Sequence, residues 1–483
     1  MPYALLGLSA LLVLLILTLF VRALLFRAPR INPPQPVTEQ VDADAAAAAL
    51  SALVACKTVS HADAALDDPS AFTQLETLLP KLFPLVHQAC THEKVGARGL
   101  LYHWSGQTSE NPLVLTAHYD VVPAEGGVWE HDPFSGDIAD GFIHGRGTLD
   151  TKCTLAAIMT AAETLLSQGF TPAQDIYLCF GGDEEVMGEG AKQIAATLEA
   201  RGVRPLMVVD EGGAIVEKVF PGVAQPCALI GIAEKGSVNY TATAVSSGGH
   251  SSAPPVSTPL TLLANAVQRI QKYPFRFQVT APARALIQNL APHSTFAYRL
   301  IFANLWAFAP LLDRITRKSG GELNALFRTT VAFTMMHGGE TANVLPGSAE
   351  LTMNVRVLPG ETIEGTLRGL RQRVDNKRVV VALARGLAPS AVSSVAGAGY
   401  AALCKAIWEV YPEVLISPYL MIAASDARHY ERICPHVYRF SGMRLTGEER
   451  RMIHGVNERI TIAKLADTVR FFMRVMQNTG AGA

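Results

Sequence analysis

An uninterrupted apolar run opens the chain. Ala4 to Val21 carries no charge and is mostly leucine, and Ala23-Leu24-Leu25-Phe26 follows Arg22. Roughly 20 such residues cross the hydrocarbon core of a bilayer as a helix, so residues 4–26 are predicted as a membrane anchor. A secretory signal peptide is the competing reading. It normally has a basic start and a small-residue cleavage site, whereas this segment begins Met-Pro-Tyr and shows no obvious site. Arg22, Arg27 and Arg30 on the C-terminal flank favour a cytoplasmic side by the positive-inside rule; the side of the membrane is left open. Residues 27–41, with Pro33, Pro34 and Pro36, read as a linker, and the alanine-rich Asp42 to Ala52 as the first helix beyond it.

From there short β-rich runs alternate with helical periodicity. Leu113 to Thr116 leads into His118-Tyr119-Asp120, Ile176 to Phe180 into Gly181-Gly182-Asp183-Glu184-Glu185, and Leu206 to Val209 into Asp210-Glu211-Gly212-Gly213. The loop-like Phe142 to Gly147 delivers Asp150 just before a helix in which Leu155, Ile158, Met159, Ala162, Leu165 and Leu166 recur at helical spacing until Gly169. The alternation predicts an α/β fold with a mixed, mostly parallel sheet flanked by helices. At 483 residues the chain exceeds one simple core, so at least two folded units are expected. Leu290 to Leu312 is unusually apolar, with Phe302, Leu305, Trp306 and Phe308. It reads either as core of an inserted domain or as an acyl-chain channel or membrane-facing lid.

Composition narrows the partners. Net charge is −1, with 17% charged residues and no long run of one sign, which excludes the basic footprint of a nucleic-acid binder. The seven cysteines (Cys56, Cys90, Cys153, Cys179, Cys227, Cys404, Cys434) are scattered and never spaced CxxC, so they are expected as buried thiols.

Ligands in open α/β sheets gather at the carboxyl ends of strands, and there the sequence concentrates acid: Asp120, Asp150, Glu184, Glu185 and Asp210, beside His118. Carboxylates converging on one poorly solvated cleft repel, and no local Lys or Arg cluster offsets them. Two divalent cations would; imidazole with carboxylate suits zinc, with cobalt or manganese as substitutes. In His118-x-Asp120, residues two apart on a strand point the same way, so the Asp120 carboxylate is expected to hold the second ring nitrogen of His118. Glu184 and Glu185, adjacent after a Gly-Gly turn, can divide labour between metal and attacking water.

The motifs Leu-Thr-Ala-His118-Tyr-Asp120, Gly145-Arg-Gly-Thr-Leu-Asp150-Thr-Lys, Asp183-Glu184-Glu185-Val-Met-Gly and Val-Val-Asp210-Glu-Gly resemble the M20 family of co-catalytic zinc peptidases and aminoacylases. Ser246-Ser-Gly-Gly-His250-Ser-Ser-Ala-Pro and Ile453-His454-Gly-Val-Asn457-Glu458 agree, and the N-terminal span and long middle domain look most like its carboxypeptidase S and N-acyl-amino-acid hydrolase branch. The resemblance implies that Asp150 bridges two zinc ions, with His118 and Asp210 at one and Glu185 and His454 at the other; His454 rests on it alone. It implies Glu184 as general base, a cis bond between Asp150 and Thr151, and an inserted lid that also serves as a homodimer surface. His250 would steady the oxyanion in a neighbouring site, and Asn343 and Arg356 would bind the substrate carboxylate. Arg428 is either a second carboxylate ligand or the partner of Asp426 or another acid. Domain edges follow: a catalytic domain in two segments, 42–234 and 381–478, with the lid at 235–380 inserted between them.

The function so implied is hydrolysis of a peptide or N-acyl bond to a C-terminal amino acid with a free carboxylate. A small-molecule deacetylase and a metal-binding scaffold without catalysis are the alternatives.

Overall fold

The computed structural model describes residues 2–28 and 33–480. Its larger sheet is built around four parallel strands in the order Gln174–Gly181, Thr108–His118, Met207–Asp210, Val437–Arg439. Buried on both faces, these strands read as the unbroken apolar runs of a covered parallel sheet. Antiparallel strands extend it on either side, Gly99–Trp104 and Thr91–Val95 beyond the first, Cys227–Glu234 beyond the last. The sheet is thus mixed, as expected.

Three helices, Ala43–Val54, Lys152–Ser167 and Ile462–Asn478, pack on one another against this sheet. Asp42 caps the first by accepting the Ala45 N–H at 2.9 Å. Gly169 follows the second at a φ of 74°, a left-handed turn that glycine adopts freely. The predicted linker is partly tied down: Glu39 pairs with Arg474 at 3.0 Å and the Val37 N–H donates to the Glu409 carbonyl. Arg30 and its neighbours 29–32 lie outside the described residues. All seven cysteines are buried and free.

A second sheet, antiparallel throughout, runs Thr330–His337, Ser348–Val357, Gly236–Val245, Val379–Leu387. The helices Pro259–Lys272 and Ile363–Val374 cover one face, forming a separate core around Val238, Tyr240, Leu263, Met353 and Leu370. Its last strand carries the inserted unit to Leu387, past the expected edge at 380, because Val379 to Leu387 pair with Gly236–Val245.

The apolar stretch Leu290 to Leu312 is not core of this inserted unit. Leu290, Phe302 and Leu312 are buried in the larger core, and the preceding helix Ala281–Leu290 packs on the strand Leu415–Met421. The helix Phe296–Ala303 meets the N-terminal helix Pro2–Leu25: Phe20 and Phe296 rings lie 5.7 Å apart, and the Asn304 amide donates to the Leu19 carbonyl at 3.0 Å. Trp306, Leu311 and Ile315, on the next helix Leu305–Ser319, remain exposed beside it.

Candidate metal centre

His118 ends its strand fully buried. Its Nδ1 lies 2.9 Å from the backbone carbonyl of Asp120, which places the hydrogen on Nδ1 and leaves Nε2 free. The Asp120 carboxylate is farther from that nitrogen, at 3.4 Å. It instead accepts the backbone N–H groups of Glu184 (3.1 Å) and Glu185 (3.2 Å). Asp120 therefore meets His118 Nδ1 with its main-chain carbonyl and, less closely, with its carboxylate, and the same carboxylate holds the Glu184-Glu185 turn.

Asp150 stands between two histidines. Its Oδ1 is 3.1 Å from His118 Nε2, and its Oδ2 is 3.1 Å from His454 Nε2. His454 Nε2 is also 3.1 Å from Glu185 Oε1. His454 reaches inward from a loop at φ 59°, and the bond from Asp150 to Thr151 is cis. The cis bond matches what the motifs implied.

Glu211, not Asp210, joins the cluster, its Oε1 lying 3.6 Å from His118 Nε2 and within ligand distance of Glu184. Asp210 is the last residue of its strand, and successive side chains point to opposite sides. Its carboxylate is buried with Oδ2 unpartnered, and burial first, then the Glu234 carboxylate, pushes it up to about 6.

A second residue that sequence reasoning passed over builds the loop carrying Asp150. Fully buried Glu458 accepts the backbone N–H groups of Gly147 (3.0 Å), Leu149 (2.7 Å) and Asp150 (3.2 Å), and pairs with Arg146 at 2.7 Å. It stood in the His454 motif, yet nothing in its spacing marked it. Lys152, also fully buried, donates to the carbonyls of Leu53 and Cys56 and pins the start of the helix after Asp150.

The remaining candidates divide. Arg356, half-buried on the inserted sheet, has its guanidinium in the field of the Glu184 carboxylate; burial and then Arg428 lower its pKa. Arg428 is committed elsewhere: it bonds Glu234 at 2.6 Å, not Asp426, and donates to the carbonyls of Lys235 and Ala388. His250 and Asn343 sit together on the inserted unit, His250 paired in register with Val344 and Ser251 N–H donating to the Asn343 carbonyl. Among the described residues no hydrogen bond joins either side chain to the cluster.

Charge in the cleft is strongly unbalanced. Burial pushes the Glu184 carboxyl well above its usual range, with Asp426 and Glu185 reinforcing it against the pull of His118. Burial and then Asp150 do the same to Glu211. His454 is drawn up to about 10 by Asp150 first and Glu185 next. Two imidazoles and three carboxylates, with one carboxylate placed between the histidines, form a donor set that fits two divalent cations, whose charge would hold these groups in their ligating forms.

Comparison with known proteins identifies the family. Residues 114–478 match the model of peptidase family M20/M25/M40. The chain is 38% identical over 419 residues to the N-fatty-acyl-amino acid synthase/hydrolase PM20D1.1 of Danio rerio, covering 85% of this chain and 81% of that protein. It is 35% identical over 414 residues to the probable carboxypeptidase S-like 2 of Dictyostelium discoideum, covering 84% and 79%. Among solved structures, the M20 family metallo-carboxypeptidase Sso-CP2 from Sulfolobus solfataricus superposes with a TM-score of 0.65 at 16% identity, over 89% of this chain and 98% of that one. Human carnosine dipeptidase 1 gives 0.65 at 15% identity, over 91% and 96%. At such identities these two speak for the fold alone.

Proposed function

The chain belongs to peptidase family M20/M25/M40, in its carboxypeptidase S and N-acyl-amino-acid hydrolase branch, and we propose that it hydrolyses N-acyl amino acids with a free α-carboxylate, C-terminal peptide bonds being the second substrate class. It is a hydrolase of amide or peptide bonds. The observation that carries the proposal is the Asp150 carboxylate, each oxygen of which faces a different histidine at 3.1 Å. His118, Asp150 and Glu211 would hold one zinc ion, and Asp150, Glu185 and His454 the other. Ions held there would supply Lewis-acid chemistry, polarising the scissile carbonyl and acidifying a bound water.

Glu184 would serve as the general base. Its backbone N–H is held by Asp120 and its carboxylate lies beside His118 and Glu211. It takes a proton from the attacking water and returns it to the leaving nitrogen; the upward push on its pKa suits that exchange near neutrality. Arg356 would receive the substrate carboxylate, a planar guanidinium being able to form two parallel hydrogen bonds. Arg428, held by Glu234, keeps the inserted unit in position. His250 and Asn343 would complete the site from the lid of a second copy. Exposed Met335, Val245 and Val380 on the uncovered face of the inserted sheet supply apolar surface for such a homodimer.

The N-terminal helix, Tyr3–Leu25, is long and apolar enough to cross a bilayer. We assign it as an uncleaved anchor, since its C-terminal half packs on the helix Phe296–Ala303 of the folded protein.

The test is a panel of N-acyl amino acids and dipeptides, with and without chelator. Turnover is expected to require a free carboxylate, to vanish with chelator and to return with zinc or cobalt. Unimpaired turnover in chelator overturns the metal assignment, and equal turnover of carboxyl esters overturns the role of Arg356.

A further inference from the structure

The folded protein grips the N-terminal helix below its end. Asn304 and Phe296 hold it at Leu19 and Phe20, and the Arg22 guanidinium donates to the Ala303 carbonyl. Leu19 lies six residues before the helix ends at Leu25, about 9 Å back along its axis. A bilayer that reaches the end of this helix therefore also reaches the level of Phe296 and Asn304, and the residues that follow Asn304 meet lipid.

Those residues are suited to it. In the helix Leu305–Ser319, Trp306, Leu311 and Ile315 are 59%, 45% and 46% exposed. With Ala307 and Pro310, also exposed, they occupy one half of the helix surface, while Leu312 and Thr316 are buried on the other. Leu25 and Phe26 share a recess with Leu305 and Trp306, so this face continues the surface of the N-terminal helix. Single exposed apolar side chains are ordinary, but a contiguous set bordered by charge marks a surface that something covers. Here the border is basic: Arg314, Arg317 and Lys318 are exposed in the last turns, and Arg314 and Lys318 make no ion pair among the described residues. Apolar side chains with a tryptophan nearest the anchor, then Arg and Lys farther along, is the order that suits a lipid–water interface, where long cationic side chains reach the phosphates.

We infer that the helix Leu305–Ser319 is a second membrane contact, seated in the interface of the bilayer that the N-terminal helix crosses, with Trp306 and Leu311 against the acyl chains and Arg314 and Lys318 at the phosphates. The inference rests on the anchor reading and goes beyond it. An anchor alone would leave the catalytic domain free of the lipid surface; two contacts seat it there and fix which of its faces turns toward the membrane.

All seven native cysteines are buried, so an introduced exposed cysteine can be labelled selectively. The experiment uses the full chain, labelled in detergent with an environment-sensitive fluorophore at Leu12→Cys, Leu311→Cys or Lys318→Cys in turn and reconstituted in phosphatidylcholine liposomes, with and without bromine on the acyl chains. Turnover in detergent checks that each labelled protein is folded. Brominated lipid is expected to quench Leu311→Cys nearly as strongly as Leu12→Cys within the anchor, with Leu311→Cys shielded from aqueous iodide. Lys318→Cys should be quenched less and emit at longer wavelength. If Leu12→Cys is quenched while Leu311→Cys stays open to iodide, the anchor stands and the second contact is wrong. If Leu311→Cys is shielded from iodide and from brominated lipid alike, a second copy of the chain covers this face, which also overturns the proposal. If Leu12→Cys is itself not quenched, the anchor reading has failed and the inference falls with it.

Discussion

The side chain of Glu458 accepts the backbone N–H of Asp150 at 3.2 Å, so the residue placed between both histidines is itself held by an acid from the far end of the chain. That carboxylate is fully buried against Arg146. Removing one partner of a buried ion pair leaves an uncompensated charge, at a cost of about 3–5 kcal/mol. Glu458→Ala should unfold correspondingly earlier in urea. The milder Glu458→Gln should remain folded and bind zinc about 10–100-fold more weakly. Unchanged zinc affinity in the Gln variant would confine Glu458 to stability.

Glu184→Gln should keep its metal and lose its rate. General-base contributions run to about 10²–10⁴-fold, so kcat should fall by at least 100-fold while elemental analysis still finds two metal ions per chain. Wild-type turnover in that variant would remove Glu184 from the chemistry.

Glu211 and Asp210 can be separated by the same metal analysis. Glu211→Gln is expected to lose one of the two ions, and Asp210→Asn to retain both. The reverse result would restore Asp210 as the ligand.

Lys235 gives a pH signature away from the metals. Its ammonium donates to the carbonyls of Ala325 (2.9 Å) and Arg328 (2.8 Å), and burial, then Arg356, lower its pKa to about 7. An unfolded lysine titrates near 10.4. Because the folded value is depressed, the unfolded chain binds more protons between about pH 7 and 10, and stability rises with pH across that window. Urea midpoints of wild type and Lys235→Met, compared at pH 7 and pH 10, should show the wild type gaining on the variant. A constant difference would mean that the group stays charged in the fold.

The N-terminal assignment is open to direct measurement. The full chain, expressed in a eukaryotic host, should resist alkaline carbonate extraction from membranes and give an intact mass that includes residues 1–26. Release to the supernatant with a shortened mass would identify a cleaved signal instead.

Much of this architecture is legible in the sequence, because strands buried on both faces write themselves as unbroken apolar runs, and the residues just after them are those the sheet presents to its crevice. His118 and Glu185 could be found that way. Glu211 could not be distinguished from Asp210, since choosing between adjacent acids depends on one residue of strand register. Glu458 was hidden for another reason: its bonds are to backbone N–H groups that carry no side-chain signal. Nor could the destination of Phe302 be read, because periodicity shows that a helix buries a face without saying which of two cores receives it.

The strand Val437–Arg439 lies between Met207–Asp210 and Cys227–Glu234, although it is made some 200 residues after them. During synthesis the first half of the catalytic domain must therefore emerge with a gap at the centre of its sheet and two unpaired edges flanking it. Such edges recruit other chains. The nascent protein should depend on chaperones until the inserted unit has been made and the chain returns to close the gap, and truncations ending before residue 437 should aggregate rather than accumulate as a soluble half-enzyme.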